Sequence, residues 1–150
     1  MKKEPKEEPK LYQITLTEQQ CQTMTQALEA YARIGIGQID IAIEDNTRHF
    51  HDRTKADWQE RRNALDYAKR IVTGLGSGEA NGIGNHRQVP DEYNVAWDMV
   101  QVIRHKISWE DQPQGGSGVH FYEPMRTSKQ DFVKIERMET ESERIIKKGF

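Results

Sequence analysis

Two arginines lie where an amphipathic helix would carry aliphatic side chains. Side chains in the segment Tyr93–Ile107 turn by roughly 100° per residue, which gathers Tyr93, Trp97, Val100 and Ile107 on one side. Arg104 falls between Tyr93 and Trp97 on that same side, and Arg61 sits similarly in the apolar arc of an earlier helical segment. A guanidinium stays charged, so a shielded one needs an anion, carbonyl oxygens or an aromatic face. Glu29, Asp40 and Glu44 are expected to point away on the first helix, which leaves no obvious internal carboxylate. The chemistry expected is capture of an outside anion such as a phosphate. The structural alternative is that both arginines snorkel or bond to carbonyls and Glu123.

Other chemistry-bearing clusters are weaker. His49, His51 and Asp52 look like metal ligands, but histidines at i and i+2 share a face only in a strand. Their neighbours Arg48, Arg53 and Lys55 would also repel a divalent cation, so a polar loop is expected there and no metal. The run Gly74–Asn85 is rich in glycine, yet it lacks a Gly-Lys-Ser/Thr ending and follows no predicted strand. A flexible connector is the better reading than a phosphate loop. Neither a Gly-x-Ser-x-Gly elbow nor a His-Glu-x-x-His pair occurs, so no catalytic residue and no cofactor are predicted.

The elements that must hold these groups follow from periodicity. A charged leader with two prolines over 1–10 is expected to be disordered. Leu11–Leu16 alternates as a short strand. Thr17-Glu-Gln-Gln20 forms a capping box that opens a first helix, expected to run from Glu18 to Glu44. Cys21 lies in its apolar arc, and Gly35 and Gly37 suggest close approach or a kink. A second helix spans Ala56–Thr73, where Trp58, Leu65 and Val72 recur every seven residues and Gly74 stands as C′. A third follows Pro90 and ends near Trp109. Val119–Tyr122 and Phe132–Glu136 read as further strands, and the charged tail 138–150 as a short helix or a frayed end. On the far side of the third helix, Val95, Val102 and Trp109 form an apolar heptad, expected to be an oligomer interface. The fold class expected is α+β: three main helices on a small antiparallel sheet, as one domain over 11–137.

Bulk properties limit the partners. The chain has 150 residues, 35% of them hydrophobic and 31% charged, with a mean hydropathy of −0.92. Its 22 basic and 24 acidic residues nearly cancel, which argues against a dedicated duplex-DNA binder. The single cysteine excludes an internal disulfide. The charged start lacks the apolar core of a signal peptide and no run approaches membrane-spanning length, so a cytoplasmic protein is expected.

The blocks Leu16-Thr-Glu-Gln-Gln20, Tyr31–Ile39, Trp97–Trp109 and Gly115–Met125 resemble small tailed-bacteriophage proteins across most of residues 11–136. That resemblance implies a non-enzymatic accessory protein, of the anti-defence kind that sequesters a nucleotide signal. Arg61, Arg104, Tyr122 and Arg126 would then supply phosphate and base contacts in a homo-oligomer. The alternatives are an inhibitor that binds a host protein through the third helix or the charged tail, and a metal-dependent hydrolase.

Overall fold

A computed structural model describes residues 6–149. Among the described residues five α-helices account for the regular structure: α1 (Glu18–Gly35), α2 (Ile39–Asn46), α3 (Trp58–Thr73), α4 (Asp91–Asp111) and α5 (Glu141–Lys147). Short 3-10 turns occur at Arg48–Phe50 and Val119–Phe121. The main packing is α4 on α1, with α2 beside α1 and α3 resting on α2.

Local chemistry explains the boundaries. Thr17 caps α1, accepting from Gln20 N–H while the Gln20 side chain accepts from Thr17 N–H. Asp57 and Glu60 form the same reciprocal box at the start of α3, an arrangement that satisfies two otherwise orphaned donors. α3 ends where Gly74 adopts a left-handed conformation, φ +73°. The first helix does not continue to Glu44. It stops at Gly35, and Gly37 turns the chain at φ +88° into α2. An added Cβ on Gly35 would lie 2.0 Å from the Tyr93 ring, so the glycine admits an aromatic ring of α4. Tyr93 also meets Tyr31 of α1, with ring centroids 4.7 Å apart.

The expected antiparallel sheet is absent: among the described residues there is no strand, and the fold is all-helical. Leu11–Leu16 is exposed, except for half-buried Leu16, and pairs with nothing. Alternation makes a strand only where a neighbouring chain completes the ladder. Of the later segments, Val119–Tyr122 carries a 3-10 turn held by side chains of α4, and Phe132–Glu136, also expected as a strand, is irregular. Residues 119–130 run back along that helix as a strap. Trp109 Nε1 donates to the Phe121 carbonyl at 3.2 Å. Gln101 brackets Met125, donating to its carbonyl at 2.9 Å and accepting from its N–H at 3.1 Å. Asp98 accepts from Thr127 N–H, Thr127 Oγ1 and Ser128 N–H at 2.8, 2.7 and 2.9 Å. Asp91 accepts from Lys129 N–H at 3.1 Å. Side chains thus do for this strap what a second strand would have done.

The core is thin. Ala32, Ala42, Val89, Ala96, Val100 and Ile103 are its buried apolar residues. As many polar groups are buried with them: Thr25, Asp40, Lys69, Asn94, Asp98 and Ser128. The chain exposes 12313 Å², against about 7,900 Å² for a compact monomer of its mass. Of the expected disordered leader, residues 1–5 lie outside the described residues; 6–10 are exposed and irregular. No helix among the described residues is long and apolar enough to cross a membrane.

Candidate functional site

An open cleft of about 310 Å³ lies between α1, α2 and α4. Helical spacing places Gln26, Glu29 and Arg33 along one edge of α1, and the end of α2 with its following turn contributes Asp45, Asn46 and Arg48. Arg104 reaches in from α4. Glu29 is the hub: one carboxylate oxygen accepts from Arg33 Nε and Nη2 at 3.2 and 2.9 Å, and the other accepts from Arg104 Nη2. Arg33 Nη1 donates to the Gln38 side chain at 2.7 Å, and Arg48 pairs with Asp45 at 2.9 Å. Three guanidinium groups therefore face two carboxylates, a local excess of one positive charge. Burial pulls the Glu29 carboxyl upward, but the hydrogen bonds and charges of Arg104 and Arg33 outweigh it. Its pKa lies below the ordinary 4.5.

Arg104 keeps the inward position that its helix phase indicated, at 25% side-chain exposure. The expectation that α1 holds no internal partner for it is corrected, because Glu29 is that partner. Asp40, also expected to point away, is 1% exposed and faces Lys69 and Arg62 of α3 at 3.6 and 3.5 Å. Both errors come from averaging the apolar arc over a continuous helix to Glu44. Thr25 and Ala32 mark the buried side of α1; that side is rotated by roughly 60° from the predicted arc, toward Glu29. The neighbouring Glu29–Arg33 spacing of i, i+4 was the available signal for the hub.

The other predicted ligand residues do not join Arg104 in this cleft. Arg61 donates to the Ala56 carbonyl at 2.9 Å, as its structural alternative anticipated. Tyr122 and Arg126 belong to the strap; Tyr122 is exposed and Arg126 pairs with Asp131 at 3.2 Å. The Val95–Val102–Trp109 heptad lies on the strap side of α4. Val95 and Val102 are half-buried, and Trp109 is tied to the Phe121 carbonyl and packed edge-on against the Phe121 ring. The strap thus takes up part of the face expected to be an oligomer interface.

The glycine loop is tied to the fold at two points. Asn81 N–H donates to the Ile36 carbonyl at 2.8 Å and Gly84 N–H to the Asn94 side chain at 2.7 Å. The His49 ring lies against Phe50, tilted by 41° with centroids 4.0 Å apart, while His51 lies 3.5 Å from Glu44. Among the described residues no group of three His, Cys, Asp or Glu is placed to hold a metal ion.

Comparison with protein-family models, with curated proteins and with solved structures gave no match.

Proposed function

We propose that this protein is a non-catalytic binding protein whose α1–α2–α4 cleft receives a small molecule carrying a phosphate group, a nucleotide signal being the finer form of this reading. The setting is cytoplasmic, where the lone Cys21 thiol stays reduced. One observation carries the reading. The Arg104 guanidinium, three-quarters buried at the cleft wall, uses a single nitrogen on Glu29. Among the described residues no acceptor bonds its Nε or Nη1, and a guanidinium has five N–H donors to place. Arg33 and Arg48 flank the same space, and the planar fork of arginine suits phosphate oxygens. Glu29 both positions the two arginines and competes with an incoming anion for them.

That competition gives the test. Calorimetric titration with pyrophosphate and with 3′,5′-cyclic AMP is expected to show binding that Arg104→Gln weakens by about tenfold or more, the cost of one charge-assisted contact. Glu29→Gln removes the competing charge and should tighten binding severalfold. Arg126→Gln, outside the cleft, should leave it unchanged. No binding of either anion, by the wild type or by Glu29→Gln, would remove the reading.

Trp58, Tyr67, Ile71 and Val72, all exposed on α3, favour protein contact as a second reading.

A further inference from the structure

The two best-shielded guanidinium groups of the cleft already hold an anion of their own, the Glu29 carboxylate. Its oxygens are used separately: one accepts from Arg33 Nε and Nη2, the other from Arg104 Nη2. The Glu29 side chain is 20% exposed, whereas Arg48, the third cation of the cleft, is 71% exposed and already paired with Asp45. A charge contact strengthens as water is excluded from it, so an entering anion gains most at Arg104. It reaches that group only by sharing it with Glu29 or drawing it away.

Either event changes the proton affinity of Glu29. A largely shielded carboxylate oxygen loses donor contact and gains a like charge beside it, and both effects favour the protonated carboxyl. Building on the phosphate-binding reading of this cleft, we propose that Glu29 takes up a proton from solvent when the anion binds, so that the site loads more tightly on acidification. The other charged groups lining the cleft are Arg33 of the same helix, Arg104 of α4, Asp45 of α2 and Arg48 of the turn after it. The arginines keep their charge. Asp45 is 44% exposed and keeps Arg48 as its partner, so solvent and that pairing hold it ionised. Among the described residues no histidine, lysine or cysteine lines the cleft. Unliganded, Glu29 titrates below the ordinary 4.5; with the anion bound it titrates higher. Between those two values the complex holds more protons than the free protein. Affinity therefore rises as the pH falls through that window and is level above it.

Calorimetry with 3′,5′-cyclic AMP tests this, because its phosphodiester keeps a single charge at every pH used. At about pH 5.5, in two buffers of different ionisation enthalpy, the wild type should take up about a third of a proton or more per bound anion. Its affinity should rise about threefold or more between about pH 7 and about pH 5. Glu29→Gln should take up no proton and bind with level affinity over that range. His49→Gln removes the titrating ring next to Arg48, outside the cleft, and should keep the wild-type uptake. Binding without proton uptake, or uptake that Glu29→Gln retains, would overturn the proposal while leaving the phosphate reading of the cleft in place. Absence of binding by both the wild type and Glu29→Gln would remove that reading, and the proposal with it.

Discussion

α3 and α4 both carry arcs of apolar residues, yet the protein uses them in opposite ways. α4 is covered on two sides: α1 packs against it at Tyr93, with Val100 and Ile103 buried, and the strap lies over Asp98, Gln101 and Trp109. Five of its side chains are buried, three apolar and two polar: Asp98 accepts from the strap, and Asn94 accepts from Gly84 N–H through its oxygen. α3 buries a single side chain, Lys69. Apolar content does not decide which face goes inside; the number and length of the elements available to cover a helix does. For α3 only short α2 is at hand, and Asp40 offers it a charge to pair with, so the ionic side turns in. A buried ion pair is a weak source of stability because desolvation offsets much of the attraction. The seat of α3 should therefore depend on that pair being complete.

Breaking the pair is the strongest test of the contrast. Lys69→Ala leaves the Asp40 carboxylate buried with Arg62 at 3.5 Å as its remaining cation. A buried charge left with no partner would cost about 3–5 kcal/mol; with Arg62 still beside Asp40 a loss near the lower end of that range is expected, and the urea midpoint should fall accordingly. The double replacement Lys69→Met with Asp40→Leu should recover most of that loss, because an apolar pair of similar volume needs no desolvation. A Lys69→Ala loss below about 1 kcal/mol would mean that the interface between α2 and α3 behaves like a surface ion pair.

The corresponding break on α4 should be smaller. Asp98→Ala removes the acceptor for two strap N–H groups and one hydroxyl. Hydrogen bonds to a charged group contribute about 1.5–3 kcal/mol each; Asp98 and Ser128 are buried, but the flanking Arg126 and Lys129 are exposed, so the strap can lift and let water take up part of the loss, and about 2 kcal/mol is expected. Amide exchange at Thr127 and Ser128 should accelerate while exchange in α1 is little changed. Uniform acceleration along the chain would instead make the strap part of the global folding unit.

The sequence carried the helices well where the signal was local. The capping box at Thr17, the C′ glycine at residue 74 and the opening of α4 at Pro90 sit within about two residues of their expected places. What could not be read depends on distant partners. The strap pairs with α4 across separations of 24 to 38 residues, through carboxylates and an amide that periodicity scores only as polar. Its first segment, Val119–Tyr122, therefore reads as a strand. The cleft was half legible: the helix phase of Arg104 marked an inward guanidinium, but its partner depended on where α1 ended. Gly35 and Gly37 signalled a kink or close approach, without showing that the chain would turn there and rotate the buried side toward Glu29.

Glu29 offers the finest test, since it joins the well-covered side of α4 to α1. Its folded pKa lies below the ordinary 4.5, because Arg104 and Arg33 together outweigh the opposing effect of burial. A carboxyl depressed in this way stabilises the folded state above its unfolded pKa, and that contribution is lost as pH falls through the folded value. Both partners are arginines and keep their charge throughout, so the titrating member of the cluster is Glu29 itself. The stability difference between wild type and Glu29→Gln should stay level from about pH 7 to about pH 5, then shrink below the unfolded value as the wild-type carboxyl takes up its proton. Urea melts at stepped pH measure it directly. A difference that widened on acidification would mean that burial outweighs the two arginines, and that Arg104 is held at the cleft by something other than Glu29.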